Sequence, residues 1–158
     1  MTAIPPQNDP VTVVIVNVEI AIVRKGRYLM TERGDGESYG AGWLGFPGGK
    51  LGWIAGEQDA VEATARREAA EETGVILGPE VAYVESHTFG TDDSDHCLDI
   101  VMLARPAADS PEAFIRDPDE VASLAWMTPD EIANDARVQP WTLASLRLTE
   151  AVRERLGW

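Results

Sequence analysis

Several things are scarce in this chain of 158 residues, and each shortage excludes something. Cys97 is the only cysteine. A lone thiol rules out an intramolecular disulfide and a cysteine-built zinc cluster, and it suits a reducing cytoplasm. Basic residues are few, 13 lysines and arginines against 27 acids, for a net charge of −14. Such a surface disfavours nucleic acid polymers and anionic membranes, which both reward basic patches. It leaves open a small anionic substrate whose contact is mediated by a divalent cation. No apolar run reaches the length of a transmembrane helix. The opening "MTAIPPQNDP" has no basic region followed by an apolar core, so it does not read as a secretory signal. Internal repeats and low-complexity tracts are also missing.

What is present is ordinary for one globular domain: 44% hydrophobic and 25% charged residues. Residues 1–10, with paired prolines and polar neighbours, read as a flexible tail, and residues 11–158 as a single domain. "VTVVIVNVEIAIV" is rich in β-branched residues and reads as a long strand. "RKGR" is a turn, and "YLMTER" completes a hairpin. Gly34 to Gly42 is a loop, and "WLGFPGGKL" reads as a short strand running into a glycine turn. Asp59 to Thr73 is the clearest helix, with Asp59 and Glu62 as a capping-box-like start and Gly74 as its stop. Val61, Ala65 and Ala69 give it a narrow apolar stripe. Residues 81–89 and 96–106 read as strands joined by an acidic loop. "ASLAWMTPDEI" reads as strand, turn and short helix. The closing helix carries Leu143, Leu146, Ala151 and Leu156 among its apolar positions. Strands on both sides of a central helix, with another helix at the end, predict an α/β/α sandwich on a mixed β-sheet.

The central helix has an unusual charge pattern. Glu68, Glu71 and Glu72 stand at i, i+3 and i+4, on one face. Like charges at that spacing repel by roughly 0.2–0.5 kcal/mol per pair. The same oxygens are good ligands for a hard divalent cation. Arg67 is placed to orient a carboxylate. Gly48 and Gly49, just upstream, let a backbone pass close to the helix and can offer a carbonyl as a further ligand. The competing reading is a solvated acidic helix face.

"REAAEETGV", Arg67 to Val75, fits the second half of the Nudix box, R-E-U-x-E-E-x-G-U, with Ala69 as the apolar U. "WLGFPGGKL" resembles the strand and glycine pair that open the box, and "LAWMTPDEI" a later segment of the family. The first half departs from the pattern. Gly49 and Arg67 are four residues further apart than usual, so the first box acid falls on Glu57 or Asp59. An insertion in "GWIAGEQ" puts loop geometry in question more than chemistry.

This resemblance to the Nudix (MutT-like) hydrolases implies a Nudix-type fold and metal-dependent hydrolysis of a nucleoside diphosphate linked to another group. It implies Mg²⁺, with Mn²⁺ as a substitute. Glu68, Glu71, Glu72 and the Gly48 carbonyl would be ligands, with Glu68 as the alternative general base and Arg67 in support. A later loop acid often joins them, and Glu120 is the first choice over Asp117 and Asp119; a solvated acid is the competing reading. Asp92, Asp93 and Asp95 are a weaker set. Arg33 and Lys50 are candidates for phosphate contact. Trp43, Trp53 and Trp141 are candidates for base stacking, weighed against ordinary packing. His96 is a substrate-contact candidate, weighed against an ordinary surface histidine. Trp126 reads as core and Cys97 as a packed thiol.

The first expectation is a nucleoside triphosphate pyrophosphohydrolase of the cytoplasm, taking a small-molecule nucleotide. The rival is an ADP-ribose or nucleotide-sugar pyrophosphatase, disfavoured by the lack of a proline in "ESHTFG". A non-catalytic nucleotide sensor is the alternative of another class, though such domains tend to lose the box acids. Many relatives pair, which leaves a homodimer open.

Overall fold

The computed structural model describes residues 13–37, 39–90 and 96–158. The expected tail and the acids Asp92, Asp93 and Asp95 lie outside them. Among the described residues, seven strands and three helices follow in the order β1 (Val14–Arg24), β2 (Arg27–Arg33), β3 (Leu44–Gly45), β4 (Gly48–Lys50), α1 (Ala60–Thr73), β5 (Leu77–Gly90), β6 (His96–Pro106), β7 (Val121–Met127), α2 (Pro129–Ala133) and α3 (Pro140–Leu156).

The sheet is mixed. β1 pairs in parallel with β6, from Val14 opposite His96 to Ile22 opposite Ala104. Its other partners, β2 and β4, are antiparallel, as are β5 with β6 and β7 with β2. Strand alternation divides the core in two. Val18, Ile20 and Ile22 of β1, with Met102 and Ala104 of β6, face Ala65 and Ala69 of α1. Ala21 and Val23, with Val101 and Leu103, face Leu146 and Val152 of α3 and Ile132 of α2. The sandwich is thus a two-faced sheet with an apolar layer on each side, as the sequence predicts. Alanines at 65 and 69, both fully buried, let α1 lie close to the sheet.

Local chemistry sets most ends. Lys25 and Gly26 both take positive φ, 51° and 73°, as a two-residue hairpin turn requires. Gly74 stops α1 at φ 71°, its amide donating to the Ala70 carbonyl at 3.1 Å. Thr128 and Glu131 cap α2 reciprocally, at 3.2 and 2.8 Å.

Four details depart from the sequence reading. The glycine pair is not a turn but the strand β4, whose Gly49 opposes Val18 and Gly48 opposes Glu19. Asp59 precedes α1 in a left-handed conformation and makes no side-chain cap, so the predicted capping box is not formed. β5 begins at Leu77, ahead of the apolar run, because pairing with β6 extends through an irregularity between Leu77 and Val81. On α3, Leu146 is covered as expected, but Ala151 and Leu156 are exposed, and Thr142, Ser145, Thr149 and Val152 complete the covered face. Small hydroxyl residues there let the helix approach the sheet, and Thr149 turns its hydroxyl back to the Ser145 carbonyl at 2.8 Å. Trp126 packs half-buried at the edge of the α1-side core, with the Arg24 guanidinium 4.4 Å above its ring. Cys97 is buried, as expected. No helix among the described residues is long and apolar enough to cross a membrane.

Candidate active site

The glycine pair is the hinge of the site. A Cβ on Gly48 would stand 2.3 Å from the Val18 carbonyl oxygen, and one on Gly49 would meet the Glu68 carboxylate at 2.4 Å. A side chain would meet the backbone of β1 at position 48 and the Glu68 carboxylate at position 49. The Gly48 amide donates to Glu72 Oε2 at 3.2 Å, which ties helix to strand. It is thus the amide of Gly48 that meets a box carboxylate here.

Burial pushes the Glu72 carboxyl up to about 8. The Gly48 amide and Arg33 work against that rise, and the charges of Glu68 and Glu120 add to it. Glu68 is raised too, by burial first and then by Glu71, with Arg67 opposing and Glu120 adding. Glu71 is exposed on the outer side of the same face. Arg67 lies against Gly52, where a Cβ would stand 3.1 Å from its Nη2, and donates to Thr64 Oγ1 at 3.3 Å. Of the two candidates for the first box acid, Glu57 is the one turned inward. Its Oε2 is buried without a hydrogen-bond partner among the described residues, whereas Asp59 is exposed.

Glu120 arrives from the other side. The Gly34 amide donates to the Glu120 carbonyl at 2.8 Å, and a Cβ on Gly34 would stand 2.2 Å from the Asp119 carbonyl oxygen. That close seam holds the 117–120 loop beside the end of β2. The Glu120 carboxyl is raised by burial, then by the charges of Asp117, Glu37 and Glu71, with Arg33 opposing. Arg33 pairs with Glu37 and donates through Nε to the Tyr39 carbonyl at 3.0 Å, so its head is fixed beside the acids.

Glu72, Glu120 and Arg33 line one cleft together with Trp43, Trp141 and Phe46. Trp43 meets Trp141 edge-on, ring centroids 5.3 Å apart, and Tyr39 packs on Trp43 at 5.1 Å. A cation-bound polyanion and a planar ring would both find partners there. Lys50 and His96 lie outside the cleft lining, and Trp53 is 93% exposed. His96 opposes Val14, five residues along β1 from Glu19, or roughly 17 Å at strand spacing.

Sequence reasoning missed Glu19. It lines the cleft on β1, and its carboxyl stands well above the usual range. Burial is the main cause, with Asp99 adding and Arg33 opposing. Asp99 is 3% exposed, accepts from Asn17 Nδ2 at 2.7 Å and faces His87 Nε2 at 3.8 Å. The available signal was a lone acid inside an apolar strand run, at "NVEIAIV" and again at "CLDIVML".

The donor set suits a hard cation: carboxylate oxygens from α1 and the 117–120 loop, beside a backbone strand. Glu68, Glu71, Glu72 and Glu120 form no salt bridge among the described residues, so their mutual repulsion is of the kind a divalent cation would offset. No three carboxylate, histidine or cysteine side chains among those residues converge closely enough to enclose an ion as they stand.

A family model described as NUDIX domain matches residues 11–148. Among solved structures, a MutT NUDIX hydrolase from Burkholderia pseudomallei is 29% identical, with TM-score 0.73 over 87% of this chain and 98% of its own. A NUDIX hydrolase from Nitrosomonas europaea is 24% identical, with TM-score 0.68 over 87% and 88%. A MutT protein from Methanosarcina mazei is 20% identical, with TM-score 0.68 over 94% and 99%. No curated protein matches.

Proposed function

The chain belongs to the NUDIX family, and from that premise we propose that its cleft hydrolyses a nucleoside triphosphate to a nucleoside monophosphate and pyrophosphate. The hydrolysis of a nucleoside diphosphate linked to another group is the family's reaction. The choice of a triphosphate rests on one observation: Glu72 of α1 and Glu120 share one cleft with Trp43 and Trp141. That combination suits a polyphosphate tail and a stacked base in one ligand.

The residues have separate tasks in this reading. Glu68, Glu71, Glu72, Glu120 and the Gly48 carbonyl would hold Mg²⁺, for which Mn²⁺ can stand in. The cation would neutralise phosphate oxygens and make bound water more acidic. Glu68 takes the proton of the attacking water, unless it serves only as a ligand. Arg67 keeps Glu68 oriented. Arg33, fixed by Glu37 and Tyr39, presents its charge to phosphate oxygens. Attack on phosphorus expels the bridging oxygen with the other phosphoryl group. Lys50 and His96, outside the cleft, receive no task.

The test is a product assay over dNTPs, NTPs, ADP-ribose and nucleotide sugars with Mg²⁺ or Mn²⁺. Pyrophosphate and a monophosphate from a triphosphate are expected. Two monophosphate products from a nucleotide sugar would replace this reading with the rival one. Binding without turnover by any of them would make the domain a sensor. Glu71→Gln and Glu72→Gln are expected to cost at least about 100-fold in kcat, more than a residue that merely supports a ligand. Wild-type rates in either would remove the assignment.

A further inference from the structure

A second cavity, of about 440 Å³, opens at the far end of β1, around the β1–β2 turn and the segment that follows β6. Arg24, five residues along the strand from Glu19, marks its edge, roughly 17 Å from the cleft. The volume is in the range of small-ligand sites. Its wall is electrically out of character with the chain. Arg24, Lys25 and Arg105 line it against a single acid, Glu112, in a protein of net charge −14. A concave wall with an excess of one sign focuses the local potential on whatever enters.

Two of the cations are held in place by tryptophans. The Arg24 guanidinium lies 4.4 Å from the Trp126 ring, and that of Arg105 lies 4.2 Å from the Trp158 ring. Stacking fixes a guanidinium plane while leaving its N–H edges to donate. Arg24 spends its edge on Glu112, two bonds of 3.0 Å. Glu112 is highly exposed, and an incoming anion competes with it for that fork. Arg105 meets Glu80 only at 3.7 Å. Lys25 forms no salt bridge among the described residues, and the left-handed turn fixes its backbone at the rim.

We propose that this cavity binds a small phosphate-bearing anion, either free pyrophosphate or the phosphate of a nucleotide, at a site separate from the catalytic cleft. Forked guanidiniums match phosphate oxygens in geometry as well as charge. The proposal does not depend on which substrate the cleft hydrolyses.

The test uses full-length protein stripped of metal on a chelating resin, since a soluble polycarboxylate chelator would itself compete. Pyrophosphate and adenosine 5′-monophosphate are titrated calorimetrically at low ionic strength. Saturable one-site binding is expected. It should weaken at least about tenfold in Lys25→Asn/Arg105→Ser, and by less in Arg105→Lys, which keeps the charge but loses the stacked fork. Arg33→Ala, in the cleft, should leave it unchanged. Tighter monophosphate binding would identify a nucleotide as the ligand, and equal or weaker binding the phosphate group alone. Absence of saturable binding would overturn the site. So would loss of binding in Arg33→Ala with the Lys25/Arg105 variant unaffected.

Discussion

Glu72 carries the strain of the site most visibly. Its carboxyl is raised from an ordinary 4.5 to about 8, chiefly by burial, with Glu68 and Glu120 adding to the rise. Between those values the unfolded chain has lost its proton while the folded chain keeps it. This group's contribution to stability is therefore whole below pH 4.5 and declines as pH rises towards 8. In metal-free protein, Glu72→Gln should flatten that decline and raise the thermal midpoint at pH 8 relative to wild type, with little difference near pH 5. Added Mg²⁺ should reverse the order, because only the wild type gains the ligand charge. Melting curves from pH 5 to 8.5, with and without Mg²⁺, check this, and a Glu72→Gln midpoint below wild type in metal-free buffer at pH 8 would contradict it.

At the scale of elements, the contact between β4 and α1 decides the site, and the two glycines of β4 should separate fold from function. At Gly48 an added methyl meets the backbone of β1, which has no room to move. Gly48→Ala should therefore destabilise by about 1–3 kcal/mol, the usual cost of overpacking. At Gly49 the methyl meets the end of the flexible Glu68 side chain. Gly49→Ala should fold with nearly wild-type stability while losing activity, because Glu68 is pushed from its place. Urea unfolding and initial rates on the same preparations distinguish the two. Equal losses of stability in both variants would show that Glu68 is not free to yield.

On the scale of the molecule, one sheet separates two apolar layers that share no side chains. Leu146→Ala on the α3 side should cost about 2–5 kcal/mol, and Ile20→Val on the α1 side about 0.5–1.5 kcal/mol. Their effects should add within about 0.5 kcal/mol, since the sheet keeps the sites apart. Denaturant titration of the two single variants and the double variant measures this, and a coupling above 1 kcal/mol would mean that the layers communicate through the strands. The layers also explain the placement of the chemistry. The cleft opens where Glu19 replaces an apolar residue on the α3-facing side of β1, beyond the end of that core.

The amino-acid sequence by itself determined what depends on neighbours along the chain. Glu68, Glu71 and Glu72 share a face because of helical spacing, Gly74 ends α1 because the next residue must turn left-handed, and β-branched runs make strands. Strands on both sides of a central helix, with another helix at the end, were enough to predict a sheet covered on both faces. The tertiary structure alone decided what depends on register and packing. It made a strand of Gly48 and Gly49, because β1 was available to pair with them. It set Glu120 beside Arg33 through the seam at Gly34, and brought Trp43 to Trp141 across about a hundred residues of chain. It also left Lys50 and His96 outside the cleft, and raised the carboxyls of Glu19 and Asp99 by burial. Burial is a property of the assembled layers, and no local pattern of residues encodes how far a side chain will be from water.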